Sequence, residues 1–247
     1  MYKIISILLI LTVFNSCNNH EFNPSDQQDI AIPVVTTSFK GTTFPVIFLA
    51  AFEPGTKVSQ GELAFSFYKY EIGNIKIQSG KIIAWDPNYL QEAITFTQVF
   101  PKGEFPVHLA MAKTHNDERV AFSRIVFSDS PVIKWELALL PGEVPLALTD
   151  SNYYCYGVDA GTGLFIDSIA NTYFQKKNRS EWDHVFITKA EQNGYKGYIH
   201  SFEVYNLATF STGYGDGCYA TYIGLDKQGN VCQLLTDFEL VDWRERE

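Results

Sequence analysis

The sequence predicts an α+β fold, mostly antiparallel β-sheet packed sandwich-like, with one or two helices between about residues 163 and 190. Three observations predict it. Apolar residues alternate with polar ones over much of the first two-thirds of the chain, and breaks rich in Gly, Pro, Asn and Asp separate those runs. One later stretch then changes to a helical period.

The alternation begins at Leu63, Phe65 and Phe67 and recurs at Ile75 and Ile77. Phe105, Val107, Leu109 and Met111 form a third set, and Ile133, Trp135 and Leu137 a fourth. A side-chain period of two marks strands with one buried face. Pro54-Gly55, Gly73-Asn74, Asp86-Pro87, Lys102-Gly103 and Pro141-Gly142 supply the breaks. From Leu164 to Gln175 the apolar residues Phe165, Ile166, Ile169, Ala170, Tyr173 and Phe174 fit one helical face. A second helix fits Ser180–Ala190, with Ser180 as its cap and Asp183 three residues on. Strands resume near Tyr198, and a last hairpin joins Tyr219–Leu225 to Asn230–Phe238 through a turn at Asp226-Lys227-Gln228-Gly229.

The N-terminus carries an address. After Met1-Tyr2-Lys3, eleven residues from Ile4 to Phe14 are dominated by Ile and Leu and end at Asn15-Ser16-Cys17. A membrane-spanning helix needs about 20 apolar residues, so this run has the size of a secretory h-region instead. Phe14-Asn15-Ser16-Cys17 resembles the lipobox of bacterial lipoproteins, which implies cleavage before Cys17 and its acylation. The expected organisation is a signal peptide at 1–16, a lipidated polar tether at 17–30 and one β-rich domain at 31–247. Such a chain attaches to a membrane through its N-terminal lipid and works in the cell envelope, facing the periplasm or the exterior.

Composition limits the function classes. With 46% hydrophobic and 15% aromatic residues the chain is not a disordered one. Its formal charge of −9, with 28 acidic against 19 basic residues, repels phosphate backbones and argues against nucleic acid as a partner. Beyond Cys17 only Cys155, Cys218 and Cys232 remain. The hairpin turn sets Cys218 about five residues along the strand from the point facing Cys232, roughly 17 Å, too far for a bridge. Three buried thiols are the expectation.

Two segments carry candidate chemistry. In Gly157-Val158-Asp159-Ala160-Gly161-Thr162-Gly163 a strand ends, small residues turn the chain, and a helix is expected to begin, with free N–H groups that can hold an anion or a carbonyl oxygen. In Ser211-Thr212-Gly213-Tyr214-Gly215-Asp216-Gly217, three closely spaced glycines permit positive φ and close approach to a ligand. The candidate binding residues are Asp159, Gly161, Thr162, Gly163, Gly215, Asp216 and Gly217. The plainer reading makes each loop a turn whose Asp caps its own amides. Asp117-Glu118-Arg119 reads as a surface ion pair or hairpin tip. The five histidines show no metal-ligand spacing, and no Gly-x-Ser-x-Gly elbow occurs, so neither a metal nor a cofactor is expected.

Six segments occur in order: Ser79-Gly80-Lys81-Ile82-Ile83-Ala84-Trp85-Asp86-Pro87, Lys102-Gly103-Glu104-Phe105-Pro106-Val107, Asp117-Glu118-Arg119-Val120-Ala121, Val158-Asp159-Ala160-Gly161-Thr162-Gly163, Gly213-Tyr214-Gly215-Asp216-Gly217, and Gly224-Leu225-Asp226 through Thr236-Asp237-Phe238. Together they resemble the bacterial family called domain of unknown function 4241, over roughly residues 60–240. Trp85 and Tyr214 depart from the family's usual residues. The resemblance implies one domain and no particular activity.

Two function classes follow. The first is a non-enzymatic envelope lipoprotein that binds a partner protein or small polar ligand through its Gly-Asp loops. The second is a hydrolase, with carbohydrate as a candidate substrate, that uses Asp159 and Asp216 as a carboxylate pair.

Overall fold

The computed structural model describes residues 44–244. The expected signal segment and tether, Cys17 and the first residues of the expected domain lie outside the described residues. A single helical turn, α1 (Ile47–Ala50), precedes β1 (Lys57–Gln60), β2 (Leu63–Ile77) and β3 (Ile82–Trp85). Next come β4 (Gly103–Lys113), β5 (Glu118–Val126), β6 (Lys134–Leu137), β7 (Tyr156–Val158) and β8 (Thr162–Asp167). A helical segment follows, made of α2 (Ser168–Phe174), α3 (Arg179–Asp183), a wide π-type turn (His184–Thr188) and α4 (Lys189–Gln192). The chain ends in β9 (Gly197–Phe202), β10 (Tyr205–Ser211), β11 (Gly217–Tyr219), β12 (Thr221–Leu225) and β13 (Val231–Asp237).

Among the described residues these strands form a seven-stranded sheet in the order β1-β2-β4-β5-β13-β12-β6, a four-stranded sheet β3-β8-β10-β9, and a two-stranded ribbon β11-β7. Every pairing is antiparallel. The fold is therefore α+β and mainly antiparallel, as the alternation predicts. Packing follows from which faces are apolar. Phe165, Ala208 and Phe210 of the small sheet join one core with the large sheet. The opposite face of the small sheet buries Leu164, Ile166 and Leu207 with Phe174, Trp182 and Val185 of the helical segment in a second core. The far side of the large sheet is covered at α1, where Phe48 meets Phe122, Trp135, Tyr222 and Trp243 with ring centroids 4.7–5.7 Å apart.

Several expectations are corrected. Leu164–Asp167 is strand, not the start of a helix, because Phe165 faces the large sheet while Leu164 and Ile166 face the helices. A strand covered on both faces is apolar at every position and loses its period of two. The helix begins at Ser168, capped by Asp167, whose Oδ1 accepts the Ile169 amide at 2.9 Å. The second helix is capped by Asn178 rather than Ser180, in a reciprocal capping box with Glu181. Gly73-Asn74 does not end a strand, since β2 runs through it with a register shift against β4 between Glu71 and Gly73. The Asp226 turn stands as expected, its carboxylate accepting the amides of Gln228 and Asn230.

The cysteines are the largest correction. Cys155 and Cys218 form a disulfide, with Cα atoms 5.3 Å apart, and Cys232 is a buried free thiol. The bridge follows from β7 pairing with β11, which sets Cys218 opposite Gly157. That pairing joins segments 63 residues apart and leaves no local trace in the sequence. The expected lack of a link between Cys218 and Cys232 holds.

Candidate functional site

The β7–β11 ribbon brings the two Gly-Asp segments together. Val158 pairs with Gly217, so the next residues outward, Asp159 and Asp216, share one end of the ribbon. Asp216 Oδ1 accepts the Gly161 amide at 3.1 Å, and the Thr212 amide donates to Gly161 O at 3.1 Å. Gly161 sits at φ 60°, and a Cβ placed on it would lie 3.4 Å from Gly215 Cα. A side chain there would be strained in the left-handed region, and its Cβ would already touch the facing loop at van der Waals distance.

Asp159 is held from the other side. Its amide donates to Asp86 Oδ2 at 2.7 Å, and its carboxylate accepts the Tyr89 hydroxyl at 3.1 Å. That bond raises the Tyr89 phenol above its ordinary value. Asp86 is fully buried and also accepts the Asn88 amide, so it ties the Trp85-Asp86-Pro87 turn to the loop. Asp167 does the same one strand away, accepting the amides of Gln78 and Ser79 and the Ser79 hydroxyl at 2.7–3.0 Å. The Gly213 amide donates to Val120 O, and the Phe238 amide to Ala121 O. Segments far apart in sequence thus meet as a frame around the two loops.

The structure sorts the sequence-predicted residues. Gly161, Thr162 and Gly215 border open space. Gly163 lies inside β8 against Phe210 and Tyr156, and Gly217 opens β11 against the Tyr219 ring, so both belong to strands. The Asp159 and Asp216 carboxylates are exposed and hold loop amides or hydroxyls. The expected helix start at Gly161-Thr162-Gly163 is absent, so its row of free amides is replaced by a strand entry.

What the loops border is a groove. A cavity of about 350 Å³ is lined by Ala160, Gly161 and Thr162 on one side and by Phe186, Ile187 and Tyr195 on the other. A second cavity of about 180 Å³ adjoins it, sharing Gly161, Tyr195 and Ser211, and carries Glu118, Arg119 and Lys196. At the shared rim Tyr195 is 59% exposed and holds φ 57°, a left-handed conformation uncommon for so large a residue.

Two charged groups of the smaller cavity, Glu118 and Lys196, close a ring with Tyr68. Lys196 Nζ lies 2.7 Å from Glu118 Oε2 and donates to the Tyr68 hydroxyl at 3.1 Å; that hydroxyl donates to Glu118 Oε1 at 2.9 Å. Burial pushes Glu118 up, but the bonds from Lys196 and Tyr68 outweigh it and hold the carboxyl below its ordinary value. The same bonds raise Lys196, which stays protonated, and burial raises Tyr68. Arg119 Nε donates to Asp117 Oδ2 at 2.7 Å, and its guanidinium lies 5.7 Å from the Tyr214 ring centroid.

Sequence reasoning missed Tyr68, Phe186, Ile187, Tyr195 and Lys196. One signal was present: Gly194-Tyr195-Lys196-Gly197 brackets an aromatic and a cation with glycines, the same cue that singled out the Gly-Asp segments. Among the described residues no group of three or more His, Cys, Asp or Glu is placed to hold a metal.

No curated protein and no solved structure matches the chain. The family model described as "Protein of unknown function (DUF4241)" matches residues 75–236, more than half of the chain and all of the frame from β4 to the Asp216 loop. The chain belongs to that family.

Proposed function

We propose that this protein is an exported, lipid-anchored binding protein of the bacterial cell envelope, and that it holds a small ligand in the groove between its Gly-Asp loops and the π-type turn. The observation that carries the binding reading is the 350 Å³ cavity bordered by Ala160, Gly161 and Thr162, a volume in the range of small-molecule sites. The left-handed Tyr195 at its rim adds support, because strained backbone concentrates where a side chain must be held for a purpose. The exposed Asp159 and Asp216 serve in this reading as loop holders, and the carboxylate-pair hydrolase has no comparable support. Amide chemical shifts recorded against a fragment library are expected to move for residues 160–162, 186–198 and 209–211 together. Hits that cluster elsewhere, or no hits at all, would remove the groove as the site.

The envelope address is supported by two independent features: the Ile4–Phe14 run ending at Ser16-Cys17, and the Cys155–Cys218 bridge, which suits an oxidising compartment. Cys17→Ala is expected to shift the protein from the membrane to the soluble fraction, or to leave its precursor unprocessed. Processing and membrane attachment unchanged by that substitution would defeat the lipid anchor.

A further inference from the structure

We infer that the groove takes a medium-chain carboxylate, an amphiphile with an apolar body and one anionic head; this inference rests on the groove being the binding site. The argument starts from the larger cavity. Phe186, Ile187, Ala190, Tyr198 and Phe210 wall it, and none of them carries a charge. Three of the polar side chains lining it are already bonded to main-chain oxygens, while the Tyr195 and Ser211 hydroxyls lie at the rim shared with the smaller cavity. The Tyr198 hydroxyl donates to Val185 O, the Thr209 hydroxyl to Gly163 O and the Thr162 hydroxyl to Ala160 O. A ligand body entering here meets apolar surface and few free hydrogen-bonding groups, which favours hydrocarbon over a sugar or a peptide backbone. At about 30 Å³ of liquid volume per small heavy-atom unit, the cavity accepts roughly a dozen non-hydrogen atoms.

The smaller cavity sets the head group. Glu118 is spent on Lys196 and Tyr68, so it offers a ligand no free negative charge. Arg119 uses its Nε on Asp117, while its two Nη groups have no hydrogen-bond partner among the described residues. A planar guanidinium with both Nη groups open matches a carboxylate two-pronged. Lys196 lines the same cavity, but its charge is balanced by Glu118, so the head group rests on the Arg119 guanidinium. Because the two cavities share Gly161, Tyr195 and Ser211, one molecule can reach from the apolar wall to Arg119.

The test is calorimetric titration of the purified protein with decanoate and with 1-decanol, which share a body and differ at the head. Decanoate is expected to bind about tenfold more tightly, the factor that one charge-assisted hydrogen bond supplies. Arg119→Gln should remove that difference and leave 1-decanol unaffected. Ala190→Phe, which fills the apolar wall, should abolish both, and Ile187→Glu, at an exposed position, should weaken both if the first variant fails to fold. Equal affinities, or a decanoate affinity indifferent to Arg119→Gln, overturn the carboxylate head while the groove still stands. Binding indifferent to the wall variants, or no binding of either probe, overturns the amphiphile. The groove itself falls only if fragment shifts also miss it.

Discussion

Gly213 shows how much of the loop frame rests on single atoms. Its φ is 47°, and a Cβ there would meet Phe238 O and Leu240 Cδ1 at 2.6 Å. One of those contacts is backbone, which cannot swing aside. The left-handed conformation costs an alanine roughly 1–2 kcal/mol and the overpacking a further 1–3 kcal/mol. Gly213→Ala is therefore expected to destabilise the protein by roughly 2–5 kcal/mol, read as a lower midpoint in urea unfolding, whereas Gly142→Ala, with open space around it, should cost only the backbone strain. Equal midpoints for the two variants would contradict the packing described at the Thr212–Gly215 loop. Asp159 and Asp216 drew notice in the sequence for their charge, but what the structure gives them is hydrogen bonds that fix neighbouring loops.

At the scale of elements, legibility followed solvent. β2 was readable because Phe65 and Phe67 are buried while the residues between them are not, and β6 because Trp135 and Leu137 flank exposed Glu136. The first members of two sets, Leu63 and Ile133, are exposed at strand ends, where alternation no longer reports burial. β8 was misread because helices cover one face and a sheet the other, so neither face is marked by polar residues. The groove's second wall was illegible for the opposite reason. Ile187 is 61% exposed on a π-type turn, and nothing in a run such as His184-Val185-Phe186-Ile187-Thr188 announces that the turn widens. The Gly-Asp loops could be found and their partner elements could not, because backbone permissiveness is written locally and strand pairing across 63 residues is not. That bridge closes a long loop, which on chain-entropy grounds is worth about 4 kcal/mol against the unfolded state.

Stability of the whole molecule should carry a pH signature from two buried histidines. Burial lowers His108 to about 4, and the Arg124 guanidinium beside it adds to the effect. Arg124 Nε donates to His108 Nδ1 at 3.4 Å, so the ring is neutral with its proton on Nε2. Glu71 lies 3.6 Å from Nε2 and would favour protonation, but its side chain is 56% exposed and screened by water, so burial and Arg124 prevail. Gln233 completes the row, accepting from Arg124 Nη1 at 3.4 Å. Burial likewise lowers His200 to about 4, with Lys189, Lys177 and His184 adding positive charge near it. Both folded values lie below the unfolded one, so between about pH 6.5 and pH 4 the unfolded chain binds more protons. Stability is therefore intact above about pH 6.5 and falls as the pH drops towards 4, by up to roughly 3 kcal/mol for each histidine. Urea unfolding at pH 7 and pH 4.5 should show the loss, and His108→Gln should reduce it. A flat profile would mean that the rings are protonated in the fold.

The Cys155–Cys218 bridge has a topological consequence. It turns residues 155–218 into a covalent ring that contains β8, β9 and β10, leaving β3, at the edge, as the one strand of the small sheet outside it. The whole helical segment sits in the same ring. A peptidase that nicks the exposed turn at Ile187 would therefore open the ring without dividing the molecule. The two pieces would travel together, cross-linked, until a reductant cut the sulfur bond.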